Sequence, residues 1–396
     1  MNENGSGGRT RVLFLVEGHT DIRFVTGLAG ICDLTMLVPA PAFRASGLDN
    51  RMREAGLRLA VHEVKGGRLA FQWRSYLWLR RHAREFDLVL SQELLRGTLS
   101  ANLACAARGV PVVASVLVPA VEYFRCRRER RQIGPVKAWV GEWVMRWLMR
   151  VNGRRVTRCL AWGPYLQAVA ARYCHRVEPG HYYGVDTTYF RPADAAEKLN
   201  LRRRLGLPET KFLILFPSRV SHEKEPETVL RATARLRESG VDAVLLNLGG
   251  GNEEFLRLAA ELRLSGATEW ALGRPAMHPM RELADYFRAA DVVCQASLEE
   301  GLSLATLEGL ACGVPVVASA VGGLAAQLAD HALLTARRDV PAMAAAFDRI
   351  ALNPEAARKH ALGGRAWVER ECGREIAFAH WRRVFREMAG RQFPHD

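Results

Sequence analysis

Ten runs of five to nine residues, apolar and rich in β-branched side chains, recur along this chain of 396 residues, with helical patterns between them. In the first half they are RVLFLV (11–16), LTMLV (34–38), FDLVLS (86–91), VPVVASVL (110–117) and RCLAW (158–162). The second half has KFLILFP (211–217), VDAVLLNLG (241–249), TEWALG (268–273), ADVVCQAS (290–297) and VPVVASA (314–320). A strand that is apolar throughout, rather than at every second residue, is covered on both faces. Such strands alternating with helices build parallel sheets. The expected fold class is therefore α/β, with two Rossmann-like, doubly wound parallel-sheet domains.

Length and composition agree with two domains. Dividing the length by roughly 150 residues per domain gives two or three, and 49% of the residues are hydrophobic, enough for sizeable cores. The joint is expected near YFRPADAAEKLN (189–200), which has a proline, small residues and charges before a new helix. This divides the chain into 1–190, 191–373 and a final segment 374–396, whose stretch 374–390 reads as an amphipathic helix. The net charge of +14 calls for an acidic partner: nucleic acid, an anionic membrane or a phosphorylated substrate. No nucleic-acid binding motif accompanies that charge, so a nucleic-acid partner is not expected. No run of 18 uncharged apolar residues exists, so no transmembrane helix is expected. No apolar segment precedes a cleavage site, so secretion is not expected either. The eight cysteines are scattered without a CxxC pair, which fits buried thiols in a reducing cytosol.

In open parallel sheets, ligands bind beyond the carboxyl ends of the strands. After FLILFP come Arg219 and Lys224, two cations able to converge on a diphosphate, the first as a fork and the second as a point charge. A solvated basic loop would read the same way. After AVLLNL come Gly249, Gly250 and Gly251, where a ligand could approach the backbone closely, or where the chain simply turns. A GxGxxG fingerprint fails here, because position 254 is Glu. LEEGLSLATLEGLACGVPVV (298–317) sets Glu300 and Glu308 around a glycine turn and a helix start. Amides of Gly301, Leu302 and Ser303 at that start favour an anion. Carboxylates repel phosphate but accept hydrogen bonds from hydroxyls. The arrangement suits a ligand with hydroxyls at both ends and a diphosphate between, as in a nucleotide sugar. Two glutamates that merely satisfy the helix dipole are the alternative.

Taken together, these residues resemble the C-terminal half of a retaining glycosyltransferase of the GT-B fold, similar to the large family 4 (group 1). ACGVPVVASAVGG (311–323) and YYGVDTTYFRP (182–192) extend the resemblance, which spans roughly residues 180 to 390. It implies two domains facing a cleft. The first binds the acceptor, the second binds the nucleotide sugar, and the final helix crosses back to the first. It implies that Arg219 and Lys224 stabilise the leaving diphosphate. Glu300 would bind the donor sugar and act with them in catalysis, and Glu308 would bind the ribose. Gly249, Gly250, Gly251, Arg274 and residues Gly301, Leu302, Ser303 and Leu304 complete the donor side. Where members of the family often carry a histidine near the donor sugar, this chain has Gln92, Glu93 or Ser115. In the first-strand loop EGHTDIR it has one glycine, Gly18, where many members have two, and His19 and Asp21 are the polar candidates for the acceptor side. No DxD triplet occurs, so neither a metal nor a cofactor is expected beyond the donor substrate. An epimerase or hydrolase of the same fold and a non-catalytic nucleotide-sugar-binding module are the rival readings. The donor base, the sugar and the acceptor are not legible.

Residues 125–158 hold 11 basic and 2 acidic residues, with Trp139, Trp143 and Trp147 on one helical stripe. Tryptophan beside arginine suits a headgroup boundary. The reading is a cytosolic protein docking peripherally on an anionic membrane and meeting a lipid-linked acceptor. The alternatives are a polyanionic acceptor and a core helix flanked by solvated charges.

Overall fold

All strand pairings in the computed structural model are parallel, and among the described residues thirteen strands form two sheets. The structure describes residues 9–18, 20–129, 133–249, 252–262, 264, 266–275 and 279–390. The first sheet contains β1 (Arg11–Leu15), β2 (Asp33–Pro39), β3 (Ala60–Val64), β4 (Leu88–Gln92), β5 (Val112–Val116), β6 (Arg158–Ala161) and β7 (Val177–Pro179), in the order β3-β2-β1-β4-β5-β6-β7. The second contains β8 (Phe212–Phe216), β9 (Ala243–Leu248), β10 (Ala271–Arg274), β11 (Val292–Gln295), β12 (Val316–Ser319) and β13 (Leu333–Thr335), in the order β10-β9-β8-β11-β12-β13. In each sheet the direction of winding reverses once, between β1 and β4 and between β8 and β11. Such reversals leave a crevice at the strand exits.

The inner strands are as apolar as their sequences: every residue of β5, β9, β11 and β12 is buried. Three strands lay outside the ten apolar runs. β3, β7 and β13 are all sheet edges, where one side of the strand meets solvent and no continuous apolar run is needed. TEWALG also divides differently from the expectation. Ala267–Trp270 forms a helical turn, and the strand begins only at Ala271.

One compact unit consists of residues 1–121, 139–183 and 375–396, the other of 122–138 and 184–374. The last helix, Arg374–Ala389, packs within the first unit. Trp381 donates its indole N–H to the Tyr182 carbonyl at 2.9 Å, and its ring lies 5.6 Å from that of Phe24. Gly27 makes room for it, since a Cβ there would stand 1.8 Å from Phe378. All eight cysteines are buried and unbridged. Among the described residues no helix is long and apolar enough to cross a membrane.

Candidate functional site

The C-terminal unit gathers its polar side chains at the exits of β8, β9 and β11, on both sides of the winding reversal. Asn247, near the end of β9, donates its amide to the carbonyls of Phe216 (3.2 Å) and Ser218 (2.8 Å), fixing the path of the chain out of β8. Gly249 lies against that same turn. A Cβ on it would stand 1.8 Å from the Ser218 carbonyl oxygen and 2.6 Å from the Arg219 nitrogen. Close approach of two backbones therefore explains this glycine. Gly250 and Gly251 lie outside the described residues.

From Ser218 a buried relay of hydrogen bonds runs sideways. Ser218 Oγ donates to Gln295 Oε1 at 2.8 Å, Gln295 Nε2 to Ser297 Oγ at 2.7 Å, and Ser297 Oγ to Glu300 Oε2 at 3.1 Å. Glu300 ends the relay, only 6% exposed. Its Oε1 accepts from the Tyr123 hydroxyl at 3.1 Å, and Lys224 forms an ion pair with Oε2. Burial, then the charge of Glu300, hold the Tyr123 phenol well above its ordinary pKa, so it remains a donor. Tyr123 comes from the helix Ala120–Glu129, in the stretch grouped with the C-terminal unit.

Lys224 ends a short 3-10 turn, His222–Lys224, and the next residue, Glu225, takes φ +49 before Pro226 opens the helix Pro226–Glu238. A non-glycine residue in that left-handed region costs about 1–2 kcal/mol. Here the turn is held in place by Glu225, whose carboxylate accepts from Thr228 Oγ1 at 3.3 Å and pairs with Arg338 at 3.2 Å. Arg219, five residues before Lys224, is held far more loosely. Its side chain is 75% exposed, and its Nη2 lies 3.8 Å from the Glu223 carboxylate. Such surface pairs are worth about 0–1 kcal/mol, so the guanidinium can swing to a ligand at little cost.

The backbone of the Glu300 loop is braced by the glycine pair after β12. Gly323 N donates to the Glu300 carbonyl at 2.8 Å, and a Cβ on Gly323 would stand 1.7 Å from the Gly301 oxygen. Gly301 is buried, and Leu302 and Leu304 are partly buried. Ser303 caps the helix Leu304–Ala311, its Oγ accepting from Thr306 N at 3.4 Å. That helix ends in a Schellman motif: Val314 N donates to Gly309 O at 3.0 Å and Gly313 N to Leu310 O at 2.8 Å, with Gly313 at φ +65. Glu308 lies in its second turn, 4% exposed. Arg274 ends the edge strand β10, two strands away from β8, where it bonds the Gly273 carbonyl at 3.2 Å and hydrogen-bonds Tyr286. The structure thus brings Lys224 directly onto Glu300, sets Gly249 against the backbone before Arg219, and leaves Arg274 apart. Sequence reasoning missed Asn247, Ser218, Gln295, Ser297 and Tyr123. A signal existed for two of them, because Asn247 and Gln295 interrupt apolar strand runs at their carboxyl ends.

In the N-terminal unit the corresponding reversal lies between β1 and β4. Glu17, after β1, accepts from Gly97 N at 2.8 Å, Arg96 Nε at 3.1 Å and Gln72 Nε2 at 2.6 Å. Asp21 caps the helix Ile22–Ile31, pairs with Arg23 at 3.0 Å and accepts from the Tyr183 hydroxyl at 3.0 Å. Burial alone would raise its pKa, but Arg23 and these hydrogen bonds outweigh burial and hold it below the ordinary value. A Cβ on Gly18 would meet nothing within 4 Å, and His19 lies outside the described residues. Gln92 ends β4, its Oε1 buried without a hydrogen-bond partner. Ser115, on β5, is buried, and its carbonyl accepts from Glu93 N at 2.9 Å.

Glu93 takes φ +68 at the exit of β4, and its carboxylate accepts from Leu117 N at 2.9 Å. Burial pushes its carboxyl up to about 8, against the opposing effect of the Leu117 and Val118 amides. The folded state therefore favours the neutral acid. The resulting stability is full below the unfolded value of about 4.5 and is lost as pH rises towards about 8. Glu93→Gln keeps an acceptor for Leu117 without the charge. Its melting temperature is expected to match the wild type at about pH 5 and to exceed it at about pH 9. Parallel melting curves at both pH values would discount a neutral Glu93.

A concavity of about 550 Å³ opens at the other end of the C-terminal sheet. Its Lys198 and Arg202 already neutralise Asp291 at 2.5 and 2.6 Å, and Asp291 in turn accepts from Leu213 N at 2.7 Å. Those charges are engaged in holding strand entries together.

Residues 197–367 match the family described as Glycosyl transferases group 1. The D-inositol 3-phosphate glycosyltransferase of Stackebrandtia nassauensis is 39% identical over 180 residues, which cover 42% of this chain and 39% of that protein. The enzyme of that name from Actinosynnema mirum is 36% identical over 220 residues, 52% of each chain. This chain thus spans about half the length of these relatives, or less. Among solved structures, Anabaena HepE in complex with UDP superposes with a TM-score of 0.75 at 15% identity, over 96% of this chain and 100% of that one. Sucrose-phosphate synthase from Thermosynechococcus elongatus gives 0.73 at 18%, over 96% and 99%. At such identities the likeness establishes the fold, which is GT-B.

Proposed function

We propose, from the match of residues 197–367 to the family described as Glycosyl transferases group 1, that the chain moves a sugar from a nucleoside-diphosphate sugar to an acceptor, with retention at the anomeric carbon and without a metal. The observation that carries this reading is the Lys224–Glu300 pair at the exits of β8 and β11, beside the capped start of the helix Leu304–Ala311. As the bond between the anomeric carbon and the diphosphate breaks, negative charge grows on the departing phosphate. Lys224 and the exposed Arg219 oppose that charge, and helix amides add to them. Glu300, held in place by Tyr123 and Ser297, accepts from sugar hydroxyls, and Glu308 accepts from the ribose. The acceptor's proton passes to the leaving phosphate, so no separate protein base is required. The fold accommodates ligands of this kind, since HepE is described in complex with UDP and with UDP-glucose. Relatives named for an inositol phosphate point to a phosphorylated polyol as one acceptor to try.

The test is thermal denaturation with UDP, GDP and ADP, each with and without EDTA. A ligand at about 100 times its dissociation constant stabilises by about 2.7 kcal/mol. One diphosphate is expected to raise the melting temperature, with or without EDTA. No response to any of the three sinks the donor assignment. NMR of the product then reads the anomeric configuration, and donor loss without an acceptor would mark a hydrolase or epimerase instead.

A further inference from the structure

The connections β3→β4, β4→β5 and β5→β6 all advance in one direction across the first sheet. Right-handed crossovers place their helices on one face. These helices are Arg68–His82, Arg96–Ala106 and Pro135–Gly153. Ser100 Oγ donates to the Gln72 carbonyl at 3.0 Å, and Asn102 Nδ2 to Asn152 Oδ1 at 3.1 Å, so the three lie side by side. The first buries Phe71, Ser75 and Leu79 towards the sheet. Two positions away, and so on the outer side, it exposes Leu69 (81%), Trp73 (63%) and Leu77 (36%). The third helix buries Ala138, Leu148, Met149 and Asn152, and exposes Trp139 (68%), Trp143 (60%) and Trp147 (47%), with Val140 and Val144 beside them. These tryptophans do not belong to a core.

The charge around them has one sign. Helices Arg68–His82 and Pro135–Gly153 carry seven Lys and Arg against one acid, Glu142, which pairs with Arg146 at 2.6 Å. Arg74, Arg80, Arg81 and Arg150 stay exposed near the apolar residues. A surface for another protein would carry mixed charge around its apolar centre. Indole rings among exposed guanidinium groups instead fit a headgroup layer, in which rings rest at the acyl boundary and cations meet lipid phosphates. We propose that this outer helix face docks the protein on an anionic lipid surface.

The experiment is flotation of the full chain at low salt. One set of vesicles is phosphatidylcholine alone and the other equimolar phosphatidylcholine and phosphatidylglycerol. The wild type is expected to float with the anionic vesicles, to be released by salt, and to show blue-shifted tryptophan emission when bound. Each of Arg74→Gln, Arg81→Gln and Arg150→Gln should weaken partitioning about fivefold. Trp139→Ser combined with Trp143→Ser should weaken partitioning and shrink the blue shift, to which Trp73 and Trp147 still contribute, and these exposed sites leave the melting temperature unchanged. A wild type that stays soluble on anionic vesicles overturns the proposal. So does a dimer, seen by sedimentation, that Trp143→Ser dissociates while vesicle binding persists.

Discussion

Lys224→Ala is expected to cost roughly two to three orders of magnitude in turnover, the loss seen when one donor aimed at developing charge is removed, about 2.7–4 kcal/mol. The variant also strips Glu300 of its cation, and breaking a buried ion pair costs up to about 3–5 kcal/mol of stability. The cost should fall at the low end, because Lys224 is 17% exposed and Tyr123 and Ser297 still donate to Glu300. Combining Lys224→Ala with Glu300→Gln isolates the stability effect, and comparison with Glu300→Gln alone isolates the effect of Lys224 on turnover. The melting temperature should return towards the wild type while turnover stays low. If turnover returned as well, Lys224 would serve only the fold. A folded Lys224→Ala protein with wild-type turnover would falsify the diphosphate role outright.

Gly249→Ala is expected to be the most damaging single-methyl change at the site. Its Cβ would fall 1.8 Å from the Ser218 oxygen and 2.1 Å from the Ser218 carbonyl carbon, both backbone atoms that no rotamer change can move aside. Either β9 or the β8 exit must shift, at the upper end of about 1–3 kcal/mol for overpacking. The shift would also break the start of the relay that leads to Glu300. The urea midpoint should fall, and the stabilisation by nucleoside diphosphate should shrink with it. An alanine variant with unchanged midpoint and unchanged ligand response would mean that this exit is softer than its geometry implies.

What the sequence disclosed follows from where each signal is stored. The inner strands advertise themselves, because burial on both faces demands an uninterrupted apolar run, as in VPVVASVL and KFLILFP. β3, AVHEV, is mostly exposed along its length and carries no such run. Lys224, Glu300 and Gly249 were legible as charges and glycines at strand exits, positions at which an α/β sheet places its chemistry. Tyr123 was not, since it lies 177 residues from the carboxylate it donates to and no local pattern connects them. Gly249 was visible, but the sequence left open whether it makes room for a ligand or for a turn; the structure sets the backbone of Ser218 against it. Asp21 read as a polar acceptor-side candidate, and the structure shows how much of its carboxylate is engaged by the helix cap, Arg23 and Tyr183.

The chain passes from one compact unit to the other four times, after residues 121, 138, 183 and 374. The phenol that steadies Glu300 belongs to the shorter insert, 122–138, which is embedded in the first half of the chain. Exchange of modules between related proteins is therefore constrained in a way that a single junction would not impose. A hybrid that inherits residues 184–374 from this chain and everything before them from a donor lacking an equivalent phenol receives Lys224 and Glu300 but not the hydroxyl that fixes the carboxylate. The transplantable piece is discontinuous. Swaps that carry Tyr123 along with the C-terminal segment should retain the site's geometry, and cuts at one point alone should not.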